Sequence, residues 1–130
     1  MCPIGDGTSF RNEALKDEAK LVNSVQTLAG LRNVVNNTIQ HATLRRAFGS
    51  YLNSFDMVKQ KIGESCAHLY ALESTIYMTA GLADIQKNPD FCVEASACKL
   101  LAIETSRYVY TTVYVFIHSV YFFWEISNDS

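Results

Sequence analysis

The residues best suited to chemistry in this 130-residue sequence lie together at His41-Ala42-Thr43-Leu44-Arg45-Arg46-Ala47-Phe48-Gly49. Two guanidinium groups beside an aromatic ring and a turn-forming glycine could act in two ways. As cations in the last turn of a helix, Arg45 and Arg46 would each favour the negative end of its dipole by about 0.3–1 kcal/mol. As a planar fork of donors next to a ring, they suit a phosphate and a heterocycle, the two parts of a nucleotide cofactor. Spacing alone leaves both open.

Other patterns carry less. Gly5-Asp6-Gly7 is a fragment of a glycine-rich loop with no strand before it, so it is a weak phosphate signal. Gly63-Glu64-Ser65-Cys66-Ala67 lacks the final glycine of a nucleophile elbow and falls inside a helical pattern. Cys66 and His68 are two apart on that helix and point to different faces, which excludes a nucleophile–base pair. His41, His68 and His118 have no metal-ligand spacing, and Cys2, Cys66, Cys92 and Cys98 form no C-x-x-C, so neither a metal nor a structural zinc site is expected. Irregular spacing and the lack of a signal peptide favour reduced thiols. No catalytic residue can be assigned from these patterns.

Three helical patterns, from about residue 14 to residue 106, would position the arginines. Leu21, Val25, Leu28, Val35, Ile39 and Ala42 recur at steps of three, four or seven, the spacing of one helix face. Gly49 is expected to stop this helix near Phe48 in the left-handed conformation. A second helix opens at Asn53-Ser54, either a capping residue, and buries Phe55, Val58, Ile62, Cys66, Leu69, Leu72 and Ile76. A polar loop follows over residues 84–90. Asp90 is expected to cap a third helix, with Glu94 in its first turn and Val93, Ala97, Leu100 and Ile103 on its buried side. The expected fold is all-α, an incomplete up-and-down four-helix bundle.

After Arg107 the composition changes. No charged side chain occurs from Tyr108 to Trp124, and eight of the fifteen aromatics lie there. The run is too long and too irregular for a buried strand. At about 17 residues it also falls short of the roughly 20 that a transmembrane helix needs. The remaining reading is a divergent tail foreign to the helices before it. The chain therefore divides into an irregular segment 1–13, a helical domain 14–106 and an aromatic tail 107–130, with membrane association through the tail as an alternative. The formal charge of −2 argues against a nucleic-acid partner, which calls for a basic face. A hydrophobic content of 48% with 18% charged residues excludes global disorder.

With these residues in order, the sequence resembles the C-terminal helical domain of the acyl-CoA dehydrogenases. The resemblance runs from Lys20 through Leu28-Ala29-Gly30-Leu31-Arg32, the Arg-x-x-Phe-Gly element at Arg45-Arg46-Ala47-Phe48-Gly49, and Phe55-Asp56-Met57-Val58-Lys59-Gln60-Lys61. It continues over Tyr70-Ala71-Leu72-Glu73-Ser74-Thr75-Ile76-Tyr77-Met78-Thr79-Ala80-Gly81 and Asp90-Phe91-Cys92-Val93-Glu94-Ala95-Ser96-Ala97-Cys98-Lys99, and fades after Glu104. About 90 of the 130 residues are covered. Leu72-Glu73-Ser74 and Glu94-Ala95 are most similar to the very-long-chain branch.

The resemblance implies a mitochondrial FAD-dependent flavoprotein, acting in subunit pairs, that oxidises fatty acyl-CoA to trans-2-enoyl-CoA. It implies that Arg45 and Phe48 contact the FAD of a neighbouring subunit. Lys20 falls where many members carry an arginine at the acyl-CoA site. The sequence departs from the family in lacking its N-terminal helical and middle β domains, its Gln-x-x-Gly-Gly segment and its late Tyr-Glu-Gly element. The alternative base position corresponds to Ala19. Glu18, one residue away, is about 100° around the helix. The expectation is a fragment with part of a cofactor site, no base, and little or no activity alone, or else a non-catalytic helical interaction module.

Overall fold

The computed structural model describes residues 6–47, 49–85 and 91–115. A long helix α1 (Asp6–Leu44) leads into a short antiparallel hairpin, β1 (Arg46–Ala47) and β2 (Ser50–Tyr51), and a 3-10 turn over Leu52–Ser54. Helix α2 (Asp56–Ile85) and helix α3 (Cys92–Tyr108) follow, and α3 passes directly into a π-helical segment, Val109–Val115. The fold is all-α apart from the hairpin.

Contacts fix the helix directions. Lys20, early in α1, reaches Ser96 near the start of α3, while Ala42, late in α1, shares a cluster with Val113 beyond the end of α3. These two helices therefore run parallel. Helix α2 runs the other way, with Val58 in the Ala42 cluster and Thr79 touching Cys98. The result is an up-down-up arrangement of three helices. An exposed ion pair, Arg32 to Glu73 at 2.7 Å, joins α1 to α2 and adds at most about 1 kcal/mol.

The core has two parts. A central cluster joins Leu28, Leu31 and Val35 of α1 with Leu72 and Ile76 of α2 and Cys98, Ala102 and Val109 of the α3 side. An end cluster joins Ala42, Ala47, Leu52, Val58 and Val113. Hydroxyl side chains share the inward faces: Ser24, Thr38, Ser65 and Thr79 are buried. Each donates to the carbonyl four residues earlier in its own helix, at 2.8–2.9 Å. That bond removes most of the cost of taking a hydroxyl out of water.

Several sequence expectations need correction. Helix α1 begins at Asp6, earlier than the apolar stripe that starts at Leu21. It ends at Leu44, not at Phe48-Gly49. Ser54 does not cap α2; its Oγ donates to Tyr51 O at 2.7 Å. The N-cap of α3 falls on Phe91, which makes no side-chain cap bond, and Asp90 lies outside the described residues. Phe55 precedes α2 and is exposed; on α2, Cys66 faces solvent and Ser65 takes the inward position.

The largest change of phase is on α3. Val93, Leu100 and Ile103 are 77%, 63% and 53% exposed, and Ala97 is exposed too. The inward residues are Ala95, Cys98, Ala102 and Thr105. Small side chains let α3 sit close against its neighbours, and the larger apolar ones are left outside.

The change of composition at Arg107 is not a break in the packing: Val109 and Val113 are fully buried, one in each cluster. Among the described residues no helix is long and apolar enough to cross a membrane. Positions 116–124 of the aromatic run lie outside them.

Burial ranks the core positions. Leu72→Ala should cost about 2–5 kcal/mol, as for large-to-small changes in a packed core. Leu100→Ala, on the exposed face, should stay within about 0.5 kcal/mol. Urea unfolding followed by circular dichroism checks both; equal losses would refute the observed phase of α3.

Candidate functional site

The two arginines occupy different settings. Arg45 immediately follows the last turn of α1, where its N–H donates to His41 O at 3.0 Å and its carbonyl accepts from Leu52 N at 3.0 Å. The backbone is thus held on both sides of a half-buried side chain. Arg46 is the first residue of β1 and pairs across the hairpin with Tyr51. Its guanidinium carbon lies 4.5 Å from the Tyr51 ring centroid, and Nη2 donates to the Tyr51 hydroxyl at 3.0 Å.

The arginines therefore do not form a helix-end pair of cations, as the sequence suggested, because the helix stops before both. One is committed to a ring across the hairpin. The chain reverses through Gly49, whose φ is +78°, a conformation that L side chains rarely adopt. Phe48, the other expected cofactor residue, lies outside the described residues.

Lys20 sits far away. The helix between Lys20 and Leu44 spans about 36 Å at 1.5 Å per residue. Lys20 Nζ binds Asp17 Oδ1 at 2.8 Å and Ser96 Oγ at 3.0 Å, and approaches Cys92 Sγ at 3.9 Å. The Asp17 carboxylate holds the ammonium above the ordinary lysine range. Lys20 thus ties α1 to the start of α3, at the opposite end of the bundle from Arg45. Glu18 is exposed. Among the described residues no group of three or more His, Cys, Asp or Glu side chains could hold a metal ion.

One polar cluster was not visible in the sequence. The Tyr108 hydroxyl donates to Glu64 Oε2, and the Tyr108 ring lies 4.7 Å from the His68 ring. Gln60 donates to Glu64 Oε1 at 2.8 Å, and Lys61 stands 3.5 Å from Oε2. The Tyr108 and Gln60 donors hold the Glu64 carboxyl below the usual range. The same carboxylate, with burial, pushes the Tyr108 phenol up to about 12. Glu64 and Tyr108 are 44 positions apart, and only the register of α2 against α3 brings them together.

Two measurements follow. Gly49→Ala adds a Cβ that meets nothing within 4 Å, so its cost is confined to the positive φ and should be about 1–2 kcal/mol in unfolding free energy. The phenol is raised from an ordinary value of 10.0 to about 12. The folded state therefore holds the proton longer than the unfolded chain does. The stability this contributes is complete below pH 10 and is lost as pH rises to about 12. In urea titrations, unfolding free energy should fall more steeply over that interval for the wild type than for Tyr108→Phe. Parallel profiles would contradict the assigned bond.

The comparisons with known proteins agree with this architecture. The family described as acyl-CoA dehydrogenase, C-terminal domain, matches residues 5–115. A probable acyl-CoA dehydrogenase of Bacillus subtilis is 28% identical over 103 residues, 66% of this chain and 17% of that protein. The human mitochondrial very long-chain specific acyl-CoA dehydrogenase is 31% identical over 80 residues, 61% of this chain and 12% of its own length. The chain thus spans less than a fifth of these relatives. No solved structure matches it significantly. The family match takes in every described helix and runs on through Val113, so the chain belongs to the acyl-CoA dehydrogenase family, in the region of its C-terminal domain.

Proposed function

We propose that this chain supplies part of the flavin site of an acyl-CoA dehydrogenase-type flavoprotein, with Arg45 binding the anionic part of FAD held mainly by a neighbouring subunit. The observation that carries the reading is the setting of Arg45: a half-buried guanidinium whose own backbone is pinned at 3.0 Å on both sides. A planar fork presented from a fixed backbone suits a phosphate by paired, charge-assisted hydrogen bonds. The remainder of a flavin envelope would have to come from outside these three helices. Bound FAD would accept the hydride in fatty acyl-CoA oxidation. This chain's part is to orient the cofactor, and among the described residues none is identified as the base.

Lys20 fits the acyl-CoA role less well, since Asp17 and Ser96 already engage its ammonium. A mitochondrial setting is proposed on the wording of relatives' names alone. A second reading, a helical interaction module, is supported by the exposed apolar face of α3 and by exposed Tyr70, Tyr77 and Met78 on α2. In that case light scattering after size exclusion should give a mass that rises with concentration, and a monomer throughout would exclude self-association.

Two results test the flavin reading. Mixed anaerobically with FAD and a long-chain acyl-CoA, the isolated chain should give no flavin reduction; sustained reduction would overturn the assignment of a partial site. Grafted in place of the matching segment of a very-long-chain relative, the domain carrying Arg45→Ala should retain FAD at least about tenfold less well than the Arg45 graft. That is the loss expected for a charge-assisted hydrogen bond. Arg45→Lys should recover only part, because an ammonium lacks the planar fork. Unchanged flavin content with unchanged helicity would reduce Arg45 to a structural cation.

A further inference from the structure

The hairpin that follows Arg45 has strands of only two residues each, too short to hold themselves together in water. Its support comes from beneath. Ala47 of β1 and Leu52 of the next turn pack with Ala42, Val58 and Val113 in the end cluster. Val113 is the member of that cluster supplied by the segment beyond α3, and it is completely buried. Val109, four residues earlier, is buried as fully but belongs to the central cluster. At the junction, Tyr108 is bonded to Glu64 of α2 and lies against His68. The π-helical segment is thus fastened at one end to α2, and farther on it seats a valine among the residues that carry the hairpin.

We propose that Tyr108 and Val113 are positioning residues for the Arg45 hairpin, the segment Val109–Val115 coupling the α2–α3 contact to the presentation of that guanidinium. Removing the two methyl groups of Val113 would leave a gap in the cluster that includes Ala47 and Leu52, and a hairpin this small has no reserve of its own with which to close it. Releasing Tyr108 from Glu64 would loosen the segment from its other end. The coupling stands on packing; only its consequence for a bound cofactor rests on the function proposed above.

The stack of Arg46 on Tyr51, at 4.5 Å, gives a direct readout, because the ring current moves the Arg46 side-chain proton resonances upfield while the hairpin is closed. NMR of the full chain, without FAD, is recorded for three variants. Val113→Ala should abolish most of that upfield shift. Tyr108→Phe, which keeps the ring but loses the bond to Glu64, should reduce it. Val35→Ala, an equal truncation in the central cluster and outside the coupling segment, should leave it unchanged.

An undiminished shift in Val113→Ala, or an equal loss in Val35→Ala, would overturn the proposal. Should Val113→Ala fail to fold, Tyr108→Phe decides: a reduced shift supports the coupling and an unchanged one refutes it. No flavin enters the measurement, so failure of the cofactor reading in the graft would leave this result standing, and the reverse also holds.

Discussion

Hydroxyl groups can occupy the middle of this bundle because they bend back onto their own helices. Ser24, Thr38, Ser65 and Thr79 each find a carbonyl four residues earlier, so none asks the opposite helix for a partner. Thr79 also meets the Cys98 sulfur at 3.1 Å. Thr105 is the exception, with a buried Oγ1 and no hydrogen-bond partner. With polarity met locally, the faces between helices need only the right volume. Alanine, cysteine, serine and threonine supply it, and the three helices come together around the few large residues at the centre, Leu31 and Leu72 above all.

The position of the candidate site follows from that packing. A 39-residue helix, braced by two others between Lys20 and Ala42, ends at Leu44, and the next residue is the arginine of interest. Its backbone is held by the end of α1 on one side and by the 3-10 turn on the other. The neighbouring arginine is drawn onto Tyr51 across the hairpin, so two arginines adjacent in sequence have separate surroundings. The backbones of both are fixed by elements that the bundle places, and neither depends on a long sheet.

Much of the fold was legible in the sequence: three helices, their order and the all-α class, because steps of three and four in Leu28, Leu31, Val35, Leu72 and Ile76 survive as the real core. What failed was phase. On α3 the larger apolar residues Val93, Leu100 and Ile103 outweighed Ala95, Cys98 and Ala102, and hydropathy gave no reason to prefer the smaller set. The end of α1 failed for a related reason: Gly49 does take a positive φ, but in a hairpin turn, not at a helix terminus. The arginines were singled out from their chemistry, and the structure gives them different settings. The Glu64–Tyr108 contact was not, because residues 44 positions apart meet only through helix register, which one sequence does not encode in any local pattern.

The narrow seam of Ala95, Cys98, Ala102 and Thr105 bears on how such a domain can drift over evolutionary time. Exchanges among residues of similar bulk would pass unnoticed there, whether or not they changed character from oily to hydroxylated, while a single leucine would wedge the layers apart. Two descendants could therefore share this architecture and still look unalike on any scale that grades residues by affinity for water. A scale graded by size would recover their kinship along this stretch.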